Sequence, residues 1–187
     1  EVIPRLVKHA GAEGQIRVWT PGCATGEEAY SVGILLKEEM LKRDVRPRVQ
    51  IFAGDIDEEA LEFARAGRYP EGIAVSVPPE RLERFFVKHK HSYEVVKETR
   101  EMCLFSTHNL IHDPPFSRLD LIVCRNLLIY LESDIQKHVT ALFHYGLRPE
   151  GYLFLGSAEG LSGPPHLFST IHKKHRIYQG HETVSRP

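Results

Sequence analysis

Val18-Trp-Thr-Pro-Gly-Cys-Ala-Thr-Gly-Glu-Glu-Ala-Tyr-Ser31 reads as a strand, a glycine-punctuated turn and a helix opening with two acids. Ile16, Val18 and Trp19 supply the strand, and Pro21 and Gly22 end it. Gly22 and Gly26 let the backbone approach a ligand closely. A helix is expected from about Glu27 to Leu41. An α/β protein builds a cofactor crevice in this way, beyond the end of its first strand. Glu27 and Glu28 would receive a phosphate poorly and an ammonium or sulfonium well.

Outward from this stretch, strand and helix signals alternate, which points to a parallel sheet covered on both faces. A second strand is expected at about Val49–Gly54 and a helix at Glu58–Ala66, stopped by Gly67. Pro78 and Pro79 stand where a helix start tolerates proline, ahead of a stripe of Leu82, Phe85 and Phe86. Tyr93–Val96 and Met102–Ser106 flank the charged stretch Lys97–Glu101, and the simple reading is a β-hairpin inserted into the main fold. Leu119–Cys124 reads as a buried strand, Glu132–Leu147 as a helix and Gly151–Gly156 as another strand. Residues 168–178 read as a terminal strand pair or an extended return, and residues 181–187 as a tail. The expected organisation is one domain over residues 1–180.

Composition bounds the function classes. A chain of 187 residues fits one domain and buries roughly 70% of the surface that its unfolded form exposes. Its 24 basic and 25 acidic residues nearly cancel, so the charge carries no nucleic-acid footprint. Cys23, Cys103 and Cys124 have no metal-ligand spacing and fit reduced thiols in a cytoplasmic protein. The eleven histidines show no zinc pattern, and no metal is expected. No apolar run reaches transmembrane length. The abrupt start, with Ile3, Leu6 and Val7 on a short helical stripe, reads as part of something longer.

Four places carry candidate chemistry. Asp55 follows the second strand directly, where an acid typically accepts hydrogen bonds from ribose hydroxyls. Asp57 fits the cap of the next helix instead. Glu28 shares the first helical turn with Glu27, where the helix dipole alone favours acids. Asn109 can both donate to and accept from a nucleobase edge while Leu110 covers its face; a turn asparagine beside a core leucine is the plainer alternative. Arg125, Asn126 and Tyr130 emerge at the carboxyl end of a buried strand, where crevices form. A structural ion pair and a core tyrosine are the alternative there.

Together these residues resemble the CheR family of S-adenosylmethionine-dependent methyltransferases, which esterify glutamate side chains of bacterial chemotaxis receptors. The resemblance rests on Gly22-Cys-Ala-Thr-Gly-Glu-Glu-Ala-Tyr-Ser31, Asp55-Ile-Asp57, Cys124-Arg-Asn-Leu-Leu-Ile-Tyr130 and Gly151-Tyr-Leu-Phe-Leu-Gly156, in that order. It implies a doubly wound, Rossmann-like methyltransferase sheet with a reversed last strand and a small inserted β-hairpin subdomain at about residues 92–106. It implies that Gly22 and Glu28 hold the methionine portion of the cofactor, that Asp55 binds the ribose and that Asn109 and Leu110 border the adenine. Arg125 and Asn126 would line the cleft, with Tyr130 near the transferred methyl; Arg125 and Tyr130 are the catalytic candidates. S-adenosylhomocysteine would be the product, and a methyl-accepting chemoreceptor or another signalling protein the partner.

The chain departs from the family pattern in places. Ala29 replaces the usual proline, and Ser157 stands where the chemotaxis enzymes often have histidine. Family members carry an upstream helical domain whose last part supplies a Thr and an Arg to the site, and the chain starts after that part. Ser157 and the ending Lys173-Lys-His-Arg-Ile-Tyr178 resemble the methyltransferase modules of multidomain sensory proteins. Two further readings remain open: a cofactor-binding or scaffold module, and a nicotinamide oxidoreductase. The latter lacks a Gly-x-Gly-x-x-Gly after the first strand.

Overall fold

A computed structural model describes residues 1–182. The first strand, β1 (Gln15–Pro21), is flanked on both sides by parallel partners, β2 (Arg48–Asp55) and β7 (Leu119–Cys124). Beyond β2 lies β6 (Cys103–Thr107), also parallel. Beyond β7 lie β8 (Leu147–Leu155), then β10 (Ile177–Gly180) and β9 (Phe168–His172). The resulting order is β6-β2-β1-β7-β8-β10-β9. β10 runs antiparallel to both of its neighbours, so the last strand in the chain is the reversed one. The sheet is the expected α/β, doubly wound type.

Alternation along the strands divides the core between the two faces. Val18, Ile51, Leu121, Val123 and Tyr152 join one buried cluster. That cluster includes Leu6 and Val7 of helix α1 (Val2–Ala10) and Tyr30 and Leu36 of α2 (Glu27–Arg43). Trp19, Ile122, Cys124, Leu153 and Leu155 join the other, with Val139 and Phe143 of α6 (Ser133–Gly146). α2 begins at Gly26, in the left-handed region at φ 89°, and carries Glu27 and Glu28 in its first turn and Lys42 and Arg43 in its last. That polarity suits the helix dipole. α3 (Glu58–Ala66) starts on Asp57, whose Oδ1 accepts from the Ala60 amide at 3.1 Å.

The inserted subdomain differs from the expected hairpin. Ser92–Val95 (β5) pairs with Arg68–Pro70 (β3) and Phe86–Lys88 (β4) in a separate three-stranded antiparallel sheet. Residues 103–107 leave that unit and form the β6 edge of the main sheet. The charged stretch between them is a short helix, α5 (Lys97–Arg100), rather than a hairpin turn. Two short strand-like runs around a polar stretch satisfy the local hairpin rule. Instead β5 pairs locally with β4, a few residues upstream, and with the more distant β3, while residues 103–107 pair with β2, far upstream and beyond local reading. Phe86 likewise leaves the predicted helix, which is α4 (Pro79–Phe85), and opens β4. Of the expected tail, His181 is tied by its amide to the Leu167 carbonyl at 2.9 Å, while residues 183–187 lie outside the described residues.

Phe143 has no exposed surface and meets Trp19 edge-on at 5.6 Å. Truncation of a fully buried aromatic costs about 3–5 kcal/mol. Phe143→Ala is therefore expected to lower the free energy of unfolding by that amount, as measured by urea denaturation; a loss below about 1 kcal/mol would contradict this packing.

Candidate cofactor site

The strand order reverses between β1 and β7, and open α/β sheets bind ligands at such a point, outside the carboxyl ends of the strands. Here the loops after β1, β2, β6 and β7 share one rim. The turn after β1 holds three residues in the left-handed region: Gly22 (φ 63°), Ala24 (φ 45°) and Gly26 (φ 89°). A Cβ on Gly22 would stand 2.9 Å from a Leu127 methyl, so that side chain would have to shift to admit it. Two hydrogen bonds tie the turn to the end of β2. The Cys23 amide donates to the Gly54 carbonyl at 3.0 Å, and the Ala24 amide to Asp55 Oδ2 at 2.7 Å.

Asp55 Oδ1 accepts from the Asp57 amide at 3.0 Å. Each of its oxygens keeps a further lone pair, so the carboxylate can hold this turn and still accept from a diol. A cleft of roughly 310 Å³ opens beside it, lined by Gly22, Asp55, Ile56, His108, Asn109, Leu110, Ile111, Leu127 and Leu131. Gly22, Asp55, Asn109 and Leu110 were all picked from the sequence, and one cavity brings them together. Asn109 Oδ1 accepts from the Ile111 and His112 amides at 3.0 and 3.3 Å, which makes it a turn asparagine. Its side-chain NH2 stays without a partner among the described residues.

The two glutamates of the first helical turn separate clearly. Glu27 is exposed and accepts from the Thr25 hydroxyl at 2.8 and 2.6 Å. Glu28 is half-buried, and that burial pushes its carboxyl up to about 7; Arg125 opposes the rise and Glu159 adds to it. Glu28 and Arg125 thus lie close enough to interact, and neither lines the cleft. The Arg125 guanidinium lies over the Phe154 ring, 5.2 Å from its centroid. Asn126 stands at φ 58°, exposed. Tyr130 is 78% exposed, on a 3-10 turn between the lining residues Leu127 and Leu131. Burial and the neighbouring Asp55 push the Cys23 thiol up to about 12, so the turn offers no thiolate nucleophile.

Three features escaped the sequence reading. Ile56 is 71% exposed on the lip of the cleft; an apolar residue between two aspartates at a strand end was the available signal. His108 and Leu127 line the same cavity. Glu159, only 3% exposed, receives backbone amides from the loop that carries Asn126.

Residues 1–177 match the family described as the CheR methyltransferase, SAM binding domain. The chain belongs to this family. It is 35% identical over 177 residues to a chemotaxis protein methyltransferase of Salmonella typhimurium, covering 89% of this chain and 59% of the relative. It is 31% identical to chemotaxis protein methyltransferase 1 of Pseudomonas aeruginosa, covering 91% and 64%. A 104.1 kDa protein in the hypE 3' region of Rhodobacter capsulatus is 42% identical over 96% of this chain, which spans 19% of that relative. The chain thus spans less than two thirds of each of these relatives. Among solved structures, a TehB-like SAM-dependent methyltransferase of Corynebacterium glutamicum shares the fold at a TM-score of 0.50 and 12% identity, covering 95% of this chain and 84% of that one. TrmN of Thermus thermophilus does so at a TM-score of 0.50 and 19% identity, covering 95% and 46%.

S-adenosylmethionine is the cofactor of this domain type, and the cleft suits it. Its apolar walls suit a nucleobase, its glycine turn leaves room for close approach, and the carboxylates beside it suit cationic groups. No helix among the described residues is long and apolar enough to cross a membrane.

Two outcomes follow for the unliganded protein. Gly22→Ala forces a Cβ into the left-handed region, at about 1–2 kcal/mol for the backbone alone. It is expected to lower the urea midpoint accordingly, and an unchanged midpoint would contradict the geometry. Because Glu28 titrates higher in the fold than in the unfolded chain, its contribution to stability is full below the unfolded value of 4.5 and is lost as pH rises through about 7. Glu28→Gln is expected to flatten the fall in stability between pH 4.5 and 7, and a slope equal to wild type would count against this environment.

Proposed function

We propose that this domain transfers a methyl group from S-adenosylmethionine to glutamate side-chain carboxylates of a chemoreceptor or a related signalling protein in the cytoplasm. The observation that carries the reading is the half-buried Glu28 in the first turn of α2, directly after the glycine turn that Asp55 holds. A carboxylate there favours a ligand that brings its own positive charge, and the cofactor brings an ammonium and a sulfonium. Family membership and the relatives named for chemotaxis methylation support the choice of acceptor.

In this reading Gly22 and Glu28 receive the methionine end, and Asp55 accepts from the ribose hydroxyls. The free NH2 of Asn109 meets the adenine edge, with Leu110 and Ile56 against its faces. Arg125 and Asn126, which flank the cleft without lining it, stand near the reacting end. When bound, the cofactor supplies a methyl group made electrophilic by its sulfonium. The acceptor carboxylate is already ionised at neutral pH, so no general base is needed. Transfer to one acceptor oxygen would leave a neutral ester and S-adenosylhomocysteine. The chain's task is alignment, which can supply roughly 7–11 kcal/mol. Arg125 and Tyr130 orient the acceptor. Exclusion of water helps because the charges neutralise along the reaction path.

Isothermal titration with S-adenosylhomocysteine tests the reading. Saturable binding is expected, lost in Asp55→Ala and absent with NAD; a well-folded chain that prefers NAD, or ignores both, would overturn it. The cofactor's cationic groups favour ionised Glu28, so affinity for S-adenosylmethionine is expected to rise with pH up to about 7 and level off above it. An affinity flat from pH 5 to 8 would contradict the placement of Glu28. Tyr130→Phe is expected to slow methyl transfer while leaving cofactor affinity intact, and full turnover would remove its hydroxyl from the mechanism.

A further inference from the structure

Glu159 is an acid that a plain accounting of the fold does not require. It lies three residues beyond Gly156, at the end of β8, and is 3% exposed. Its Oε2 accepts from the Gly156 amide at 2.7 Å and the Asn126 amide at 3.0 Å. Its Oε1 accepts from the Leu127 and Leu128 amides, both at 2.8 Å. A buried carboxylate must find such donors, because an unpaired one is strongly penalised. Three successive amides, from a loop that begins with Asn126 at φ 58°, form the kind of concave nest that binds anions. Here the chain's own side chain fills it. Gly156 leaves the room, since a Cβ there would stand 2.6 Å from Glu159 Oε2 and 3.1 Å from the Asn126 nitrogen.

We infer that Glu159 is a positioning residue for the cofactor. By gripping the amides of residues 126–128 it fixes where Arg125 and Asn126 stand at the rim. The inference rests on the assignment of Arg125 and Asn126 to the cofactor cleft proposed above. The same carboxylate acts at a distance on Glu28. The groups facing Glu28 are Arg125 from the loop after β7 and Glu159 from the loop after β8. The thiols of Cys23, in the turn after β1, and Cys124, at the end of β7, also feel its charge; burial keeps both protonated. Arg125 favours the ionised form of Glu28, and Glu159 opposes it. Removing the charge at position 159 therefore loosens the loop and moves the titration of Glu28 downward, a combination that a purely structural residue would not produce.

The test uses the whole chain, with S-adenosylhomocysteine and adenosine as probes. Adenosine engages the part of the cleft built from Asp55, Asn109 and Leu110, which meets the gripped loop at Leu127 but not at Arg125 or Asn126. Glu159→Gln, shown to be folded by circular dichroism, is expected to weaken S-adenosylhomocysteine binding by about tenfold or more, since it loses hydrogen bonds to a charged acceptor. Adenosine affinity is expected to fall by clearly less than the S-adenosylhomocysteine affinity. The pH midpoint for S-adenosylhomocysteine binding is expected to fall below the wild-type value near 7. Glu159→Asp, which keeps the charge, is expected to restore the midpoint and part of the affinity. If Glu159→Gln does not fold, Glu159→Asp against wild type carries the affinity comparison between the two probes. Unchanged S-adenosylhomocysteine affinity with an unchanged midpoint would overturn the inference. So would an equal loss for both probes in a folded variant, which marks a role in stability alone. Failure of wild type to bind S-adenosylhomocysteine would instead defeat the cofactor assignment itself, so the two failures are distinguishable.

Discussion

The pairing of β1 with β2 on one side and β7 on the other is the constraint from which the site follows. Register places Pro21 opposite Gly54, and Trp19 opposite both Phe52 and Ile122. Three strands therefore end near one level, and their loops must leave from the same rim. The chain turns one way from β1 to reach β2 and β6, and the other way to reach β7 and β8. The loops part at that reversal, and a crevice opens between them. The glycines at 22 and 26 are consequences of this crowding. The turn after β1 has to rise over the end of β2, meet Leu127 from β7's loop and start a helix within five residues.

What fills the rim is a set of carboxylates that each hold backbone amides. Asp55 holds the turn after β1, Asp57 caps α3, and Glu159 grips the loop after β7. Backbone donors at a rim usually invite anions. Here the chain satisfies several of them internally, which turns a phosphate-ready geometry into one suited to a ligand with cationic groups. Glu28 extends the same logic one step inward. Its burial beside Arg125 leaves its charge near balance at neutral pH, so the ligand's charge and the acidity of the medium both bear on it.

Much of this was legible in the residues. The α3 boundaries and the β7 boundaries match those expected, because each is a local pattern: a cap, an apolar run, a glycine stop. Gly22, Asp55, Asn109 and Leu110 could be picked out because they stand at strand ends, and they line one cavity. The subdomain was not, since β5 and β6 are neighbours in sequence but belong to different sheets. Glu159 was not, since its partners are backbone amides 31 to 33 residues earlier in the chain, as well as a glycine amide nearby. Side-chain identity carries no trace of such a bond. The residues alone did not separate Glu27 from Glu28, which depends on which side of α2 meets the loops after β7 and β8; only the family resemblance singled out Glu28.

The central claim is that a cofactor with cationic groups sits at the carboxyl rim between β1, β2 and β7. A second cleft, of about 220 Å³, exists at the opposite end of the sheet, lined by Arg5, His9, Asp120, Arg148 and Tyr152 among others. Mapping amide chemical shifts by two-dimensional NMR during titration with S-adenosylhomocysteine separates the two directly. The account predicts saturating shifts at Ala24, Ile56, Leu110 and Asn126, with Arg5, Arg148 and Tyr152 unmoved. Shifts confined to the opposite cleft, or none at the rim at saturating ligand, would contradict it.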